Sequence, residues 1–341
     1  MPEGTQSSHF ITLPEILSHI FVDCLPRQQF LRPRKEDAPL LLTQVCKYWR
    51  KVALSEQTLW CALDISTHKF DENHIKLMAT WLKRSGCCPI SIRVALQSNV
   101  NGRHIKACIS DNFAAMALRI FLDSMTHCQY AKLVWDHPNF PFLGNPVSSP
   151  LHRWADPKCL LPVIGVRLLE GFTLIAPNVV LDEVKDQLVN CLLHGAPRLL
   201  AFKLYNKSTE MSSMGIKVPW VQLFDLTLEY DMSLTDCILI LSECLMLKTA
   251  MFRRVGQMPF ENFLQSRHRL SHLQCLKIQS IDGLSPFFES FELPSLKEAD
   301  FELGMDEDGD GDSQVNIVDE WEEQLENNPF WIFCVIHAFR D

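Results

Sequence analysis

Residues 306–312 read DEDGDGD, and Asp306, Asp308, Asp310 and Gly311 fall at positions 1, 3, 5 and 6 of a calcium-binding loop. Position 12 of such a loop must bring a bidentate glutamate, and here it is Ile317; position 8, usually aliphatic, is Ser313. An acidic flexible loop at about 304–316 is therefore expected, and no metal site. His268 and His272 stand four apart, as in a helical metal pair, but Arg269, Leu270 and Ser271 between them include no glutamate base. A surface turn is their expected home. The 13 cysteines contain no C-x-x-C, and the vicinal pair Cys87–Cys88 is a poor disulfide candidate. Cys46 reads as a small core hydrophobe on the inner face of a helix. G-x-G-x-x-G, P-loop and G-x-S-x-G patterns are absent, and with 13 glycines in all a phosphate-cradling loop is not expected. No nucleophile, base and orienting group meet in one local motif, so the sequence points to neither an enzyme nor a cofactor.

The elements that could position side chains begin with residues 11–63. Thr12 and Glu15 are spaced as a capping box, with Pro14 in the first turn, where its missing N–H costs nothing. Leu13, Ile16, Leu17, Ile20, Phe21, Cys24 and Leu25 then recur at helical spacing until Pro26 stops the run. A second helix is expected from Asp37–Pro39, carrying Leu41, Leu42, Val45, Tyr48, Trp49 and Val52 on its inner side. Two short amphipathic helices bury little alone, since units below about 40 residues seldom fold unaided. They must lean on the rest of the chain or on a partner.

This stretch, LPEIL-x-x-IF-x-x-CLP followed by APLLL-x-QVCKYWRKVAL-x-x-x-LW, resembles the F-box of fungal F-box proteins. The shared features are the Leu-Pro start, the Val-Cys-x-x-Trp-Arg core and the closing Leu-Trp, over about 50 of 341 residues. The departure is Arg27–Asp37 (RQQFLRPRKED), an insert that the fungal variety often carries. F-box proteins dock on the small Skp-type adaptor of a Skp–cullin–F-box ubiquitin ligase. The resemblance thus implies adaptor contacts at Leu13, Pro14, Ile16, Leu17, Ile20, Phe21 and Leu25 in the first helix, and at Pro39, Leu41, Val45 and Trp49 in the second. Some of these must instead pack on each other, and the sequence does not divide them. It implies further that the chain reaches cullin through the adaptor, selects an unknown protein substrate for ubiquitin transfer and performs no chemistry itself. The alternative is a repeat scaffold whose F-box-like helices merely cap the array.

After Trp60 the chain reads as a short strand (ALDIS), a helix over Glu72–Ser85 ended by Gly86, and strand alternation over Pro89–Leu96. From residue 199 the pattern L-x-x-L-x-L recurs with its middle positions at 202, 226, 250, 276 and 299. The steps of 24, 24, 26 and 23 lie inside the period of leucine-rich repeats. Helix-like stretches, Thr235–Cys244, Phe260–Arg267 and Pro286–Phe291, fall between the strands. Looser copies centred near Leu63, Ile92, Leu133 and Val166 imply insertions, and Pro138–Pro162 reads as a long loop. Only Asn206 approximates the turn-closing asparagine of such repeats. The segments 81–96 and 292–303 also resemble the repeats that follow the F-box in this fungal family. The expected fold is α/β: an F-box-like helical unit at 11–63, then an irregular leucine-rich-repeat-like strand/helix solenoid over 64–341, its concave strand face binding the substrate. Trp321–Glu326 is expected as a short acidic helix, and the apolar Phe330–Phe339 as a last strand or cap.

At 47% hydrophobic, 341 residues can bury a large core. The longest apolar runs, such as Phe330–Ile336, fall short of the roughly 20 residues that span a bilayer. No signal peptide is legible at Met1–Phe10, and the cysteine usage suits a reducing compartment, so the cytoplasm or nucleus is expected. Charge is uneven: Glu289–Glu326 holds 15 acidic residues and one lysine, so the rest of a chain of net charge −9 is basic. Arg27–Lys51 carries seven basic and two acidic residues. Without interleaved aromatics, and on an acidic chain, this patch does not suit nucleic acid. It suits an acidic protein, and the adaptor that F-box proteins bind is acidic.

Overall fold

The computed structural model describes residues 13–67, 70–96, 99–100, 103–104, 111–135, 165–177, 190–193, 195–206, 216–256, 267–280 and 284–303. The acidic loop at 304–316, the segments 321–326 and 330–339, the loop at 138–162 and the helix-like stretch 260–266 lie outside them.

The first helix, α1 (Pro14–Asp23), has Leu13 as its N-cap and Pro14 at its first position, with no side-chain cap. The fixed φ of proline suits this first turn; Thr12, half of the expected capping box with Glu15, lies outside the described residues. Spaced i and i+4, Leu17 and Phe21 turn inward and are buried. The expected second helix is two: α2 (Leu42–Val45) and α3 (Lys47–Ser55), parted by Cys46 in extended backbone (φ −155°, ψ 170°). Cys46 is exposed and its Sγ accepts the Trp49 N–H at 3.4 Å, so it caps α3 and is not the core hydrophobe expected of it. A tight 3-10 turn over Gln57–Trp60 follows. The Glu56 carboxylate accepts the Thr58 hydroxyl and N–H at 2.7 and 3.2 Å, and that hydroxyl bond holds its pKa below the usual range.

Nine strands then form one open sheet: β1 (Ala62–Thr67), β2 (Ile90–Leu96), β3 (Cys128–Trp135), β4 (Gly171–Ile175), β5 (Ala201–Tyr205), β6 (Asp225–Ser233), β7 (Thr249–Gly256), β8 (Cys275–Ser280) and β9 (Glu298–Leu303). Every neighbouring pair is parallel, and spatial order follows chain order from end to end. The architecture is mixed α/β without barrel closure. Since the order never reverses, these strands offer no switch-point crevice of the kind that holds ligands in doubly wound sheets. Among the described residues no helix is long and apolar enough to cross a membrane.

Side chains alternate across a strand, so each register line selects one face. One line runs Leu63, Ile92, Ala131, Phe172, Phe202, Leu226, Ala250, Leu276 and Ala299. Two residues on it runs Ile65, Val94, Leu133, Leu174, Leu204, Leu228, Phe252, Ile278 and Phe301. Both face the helices α4 (Glu72–Ser85), α5 (Asp111–Ser124), α6 (Leu234–Glu243) and α7 (Ser285–Ser290) in one core that continues from Leu17 to Phe291. The five centres expected from 202 to 299 are register partners in sequence. Of the upstream centres, Leu63 and Ile92 are in line, while Leu133 sits two residues past its line, which Ala131 occupies. Val166 precedes its strand altogether; the partner is Phe172, inside Leu169-x-x-Phe172-x-Leu174, a copy of the pattern that the sequence reading passed over.

Candidate functional site

The structure divides the eleven residues proposed to meet a partner. Leu17, Phe21 and Pro39 are buried, and Leu25 and Trp49 are half-buried against the core. The Phe21 and Trp49 rings pack at 5.0 Å, which joins α1 to α3. Leu13, Pro14, Ile16, Ile20, Leu41 and Val45 face outward, with Ile16 53% and Val45 55% exposed. Tyr48, assigned by periodicity to the inner side, is exposed as well because the break at Cys46 separates its face from that of α2. Of 13 large apolar side chains exposed among the described residues, eight lie between Leu13 and Leu54. A concentration of this kind marks an interaction surface, since single exposed apolar residues are ordinary but clusters are not.

The same stretch of chain is rich in basic residues. Arg27, Arg32, Arg34, Lys35, Lys47, Arg50 and Lys51 are all exposed. Two of them are tethered: Arg50 donates to the Thr43 carbonyl at 2.7 Å, and Arg32 meets the Asp64 carboxylate at 3.0 Å. Asp64 lies buried on β1 with Arg93 of β2 on its other side at 3.6 Å, as a charge taken from water requires. The Asp64 N–H also donates to the Leu31 carbonyl at 2.8 Å. The insert Arg27–Asp37 thus runs along the first edge of the sheet and satisfies part of its open ladder, a role that its length alone did not reveal.

Trp60 closes the helical unit and opens the sheet. Its indole N–H donates to the Ala53 carbonyl at 2.9 Å, its ring meets Trp81 edge-on at 4.8 Å, and the Arg84 guanidinium covers it at 4.4 Å. In register it takes the first position of the first repeat, Trp60–Leu63–Ile65, where Leu169, Leu199, Leu223, Leu247 and Leu273 stand in later ones. All six are fully buried.

Elsewhere the chemistry is quiet. Among the described residues no three His, Cys, Asp or Glu side chains could hold a metal ion. His268 belongs to a two-residue strand, His268–Arg269, paired with Phe291–Glu292, and His272 is exposed in the turn that follows. Burial pushes the thiols of Cys61, Cys128 and Cys244 up to about 12 and that of Cys275 to about 11, away from the thiolate that a nucleophile needs. Asn206 is buried on β5's far end: its Nδ2 donates to the Ala176 carbonyl at 2.6 Å, and its N–H to Glu229 at 2.8 Å. Ser280 at the end of β8 does similar work, donating to the Val255 carbonyl at 3.0 Å. No protein-family model and no curated protein sequence matches this chain.

Proposed function

We propose that this chain is the substrate-recognition subunit of a Skp–cullin–F-box ubiquitin ligase, acting in the cytoplasm or nucleus. Its F-box-like unit binds the Skp-type adaptor, and its leucine-rich-repeat-like array binds a protein substrate. The observation that carries this reading is the split face of the helical unit. Five of its eleven motif residues turn to the core, while Leu13, Ile16, Ile20, Leu41 and Val45 remain exposed in a stretch that also exposes seven basic side chains. That combination suits an acidic partner with an apolar groove. The two register lines that cross all nine strands and the order of the sheet support the repeat reading.

The test is a pull-down of the full chain with a recombinant Skp-type adaptor. Ile16→Asp with Val45→Asp, both on the surface, is expected to weaken binding at least about tenfold with the unfolding midpoint unchanged. Wild-type yield from that double variant removes the adaptor reading. A second reading, a scaffold capped by its own helices, is favoured by the Leu31–Asp64 bond and by Trp60. It predicts no adaptor binding by the wild type at all.

A further inference from the structure

A groove of about 620 Å³ opens where the turns before β4, β5 and β6 meet, at the end of the sheet where these strands begin. Leu168, Pro197 and Pro219 give it an apolar lining, and its charged side chains are Arg167 and Arg198. Gln222 fixes its shape, donating from one amide nitrogen to the Ala196 and Leu199 carbonyls at 2.7 and 3.1 Å. Both arginines are exposed, and neither has a carboxylate partner among the described residues. The contrast with the strand cations is sharp: Lys203, Arg253, Arg254 and Lys277 are each matched to an aspartate or glutamate of the chain itself. Two guanidiniums unmatched among the described residues, beside an apolar lining, suit carboxylates flanking an apolar side chain.

We propose that this groove binds an acidic segment of a partner protein, with its carboxylates on Arg167 and Arg198 and an apolar side chain against Leu168, Pro197 and Pro219. The site is separate from the helical unit, so it stands or falls independently of adaptor binding. The probe is a fluorescein-labelled peptide rich in Asp and Glu with interspersed Leu, titrated against the full chain by fluorescence anisotropy. A counterpart with Gln and Asn at the acidic positions is the control. Saturable binding that weakens with added salt is expected for the acidic peptide.

Arg167→Glu with Arg198→Glu reverses two exposed charges and is expected to weaken binding at least about tenfold. Gly195→Trp supplies a second arm. Gly195 lines the groove and a Cβ there meets nothing within 4 Å among the described residues, so an indole adds bulk at the lining and leaves both charges in place. It is expected to produce a comparable loss. Equal affinity for the acidic and neutral peptides, or wild-type affinity in either variant, overturns the proposal.

Discussion

His127 sits between α5 and β3 with its Nε2 buried and unpartnered among the described residues, while its Nδ1 lies 3.3 Å from the Thr126 hydroxyl. Burial disfavours the imidazolium and lowers its pKa from the ordinary value. As the pH falls through the ordinary imidazole range, the unfolded chain takes the proton first, so the folded state loses stability from about pH 6.5 downward. The urea midpoint of the wild type is therefore expected to drop between about pH 7.5 and about pH 5.5 by more than that of His127→Gln. Equal drops in both would show that His127 does not carry the effect. No sequence signal exposes this residue. An isolated histidine between a helix and a strand reads alike whether its ring is wet or dry. Ser280 shares that difficulty, since a short polar side chain at a strand end usually faces water and only the packed sheet shows it turned inward, whereas Asn206 carries a signal as the approximate turn-closing asparagine.

At the scale of elements, periodicity and punctuation were good guides wherever they acted locally. The helix over residues 72–85 is α4 as expected, and Gly86 ends it with φ +60°, a conformation that costs other residues strain. A Cβ there meets the Gln57 side chain at 2.7 Å, so the turn also holds α4 against the 3-10 segment. Gly86→Ala is expected to cost about 1–3 kcal/mol in urea unfolding, and adding Gln57→Ala should return only the steric share. Full recovery in the double variant would mean that backbone strain contributes nothing. The second helix failed for a local reason with a distant cause. Leu41 to Val52 keep helical spacing, yet Cys46 takes extended backbone and parts the run into two helices, a break that spacing alone does not reveal. The upstream centres at Leu63 and Ile92 are in line, but those at Leu133 and Val166 miss it for another geometric reason: the register steps from Ile92 to Ala131 and on to Phe172 far exceed the later ones, and no spacing rule survives such insertions.

The whole molecule unfolds as its core dictates. That core runs without interruption from Leu17 and Phe21 in α1 to Phe287 and Phe291 near the last strand. Phe21→Ala removes a fully buried ring and is expected to destabilise the entire chain by about 3–5 kcal/mol. Tryptophan fluorescence and far-UV circular dichroism should still report one shared transition. Separate transitions by the two probes would show that the helical unit unfolds alone. Deleting residues 1–60 is a poor probe of adaptor binding for the same reason, because it strips Trp60 and the Leu31 contact from the sheet along with the exposed patch. The sequence made the helical unit and the later strands readable as separate parts. It could not show that they are one body, because shared burial belongs to no single stretch of chain.

The position of Trp60 bears on how such a protein can be inherited. One indole finishes the helical segment through Ala53 and begins the strand array through Trp81 and Arg84. A genetic crossover on either side of residue 60 hands one descendant a hole and the other an exposed ring. A crossover that keeps this indole with all three partners has to fall beyond Arg84, carrying the first strand and helix along with the opening unit. The segment that keeps Trp60 with its partners is therefore longer than the motif by which it would be recognised.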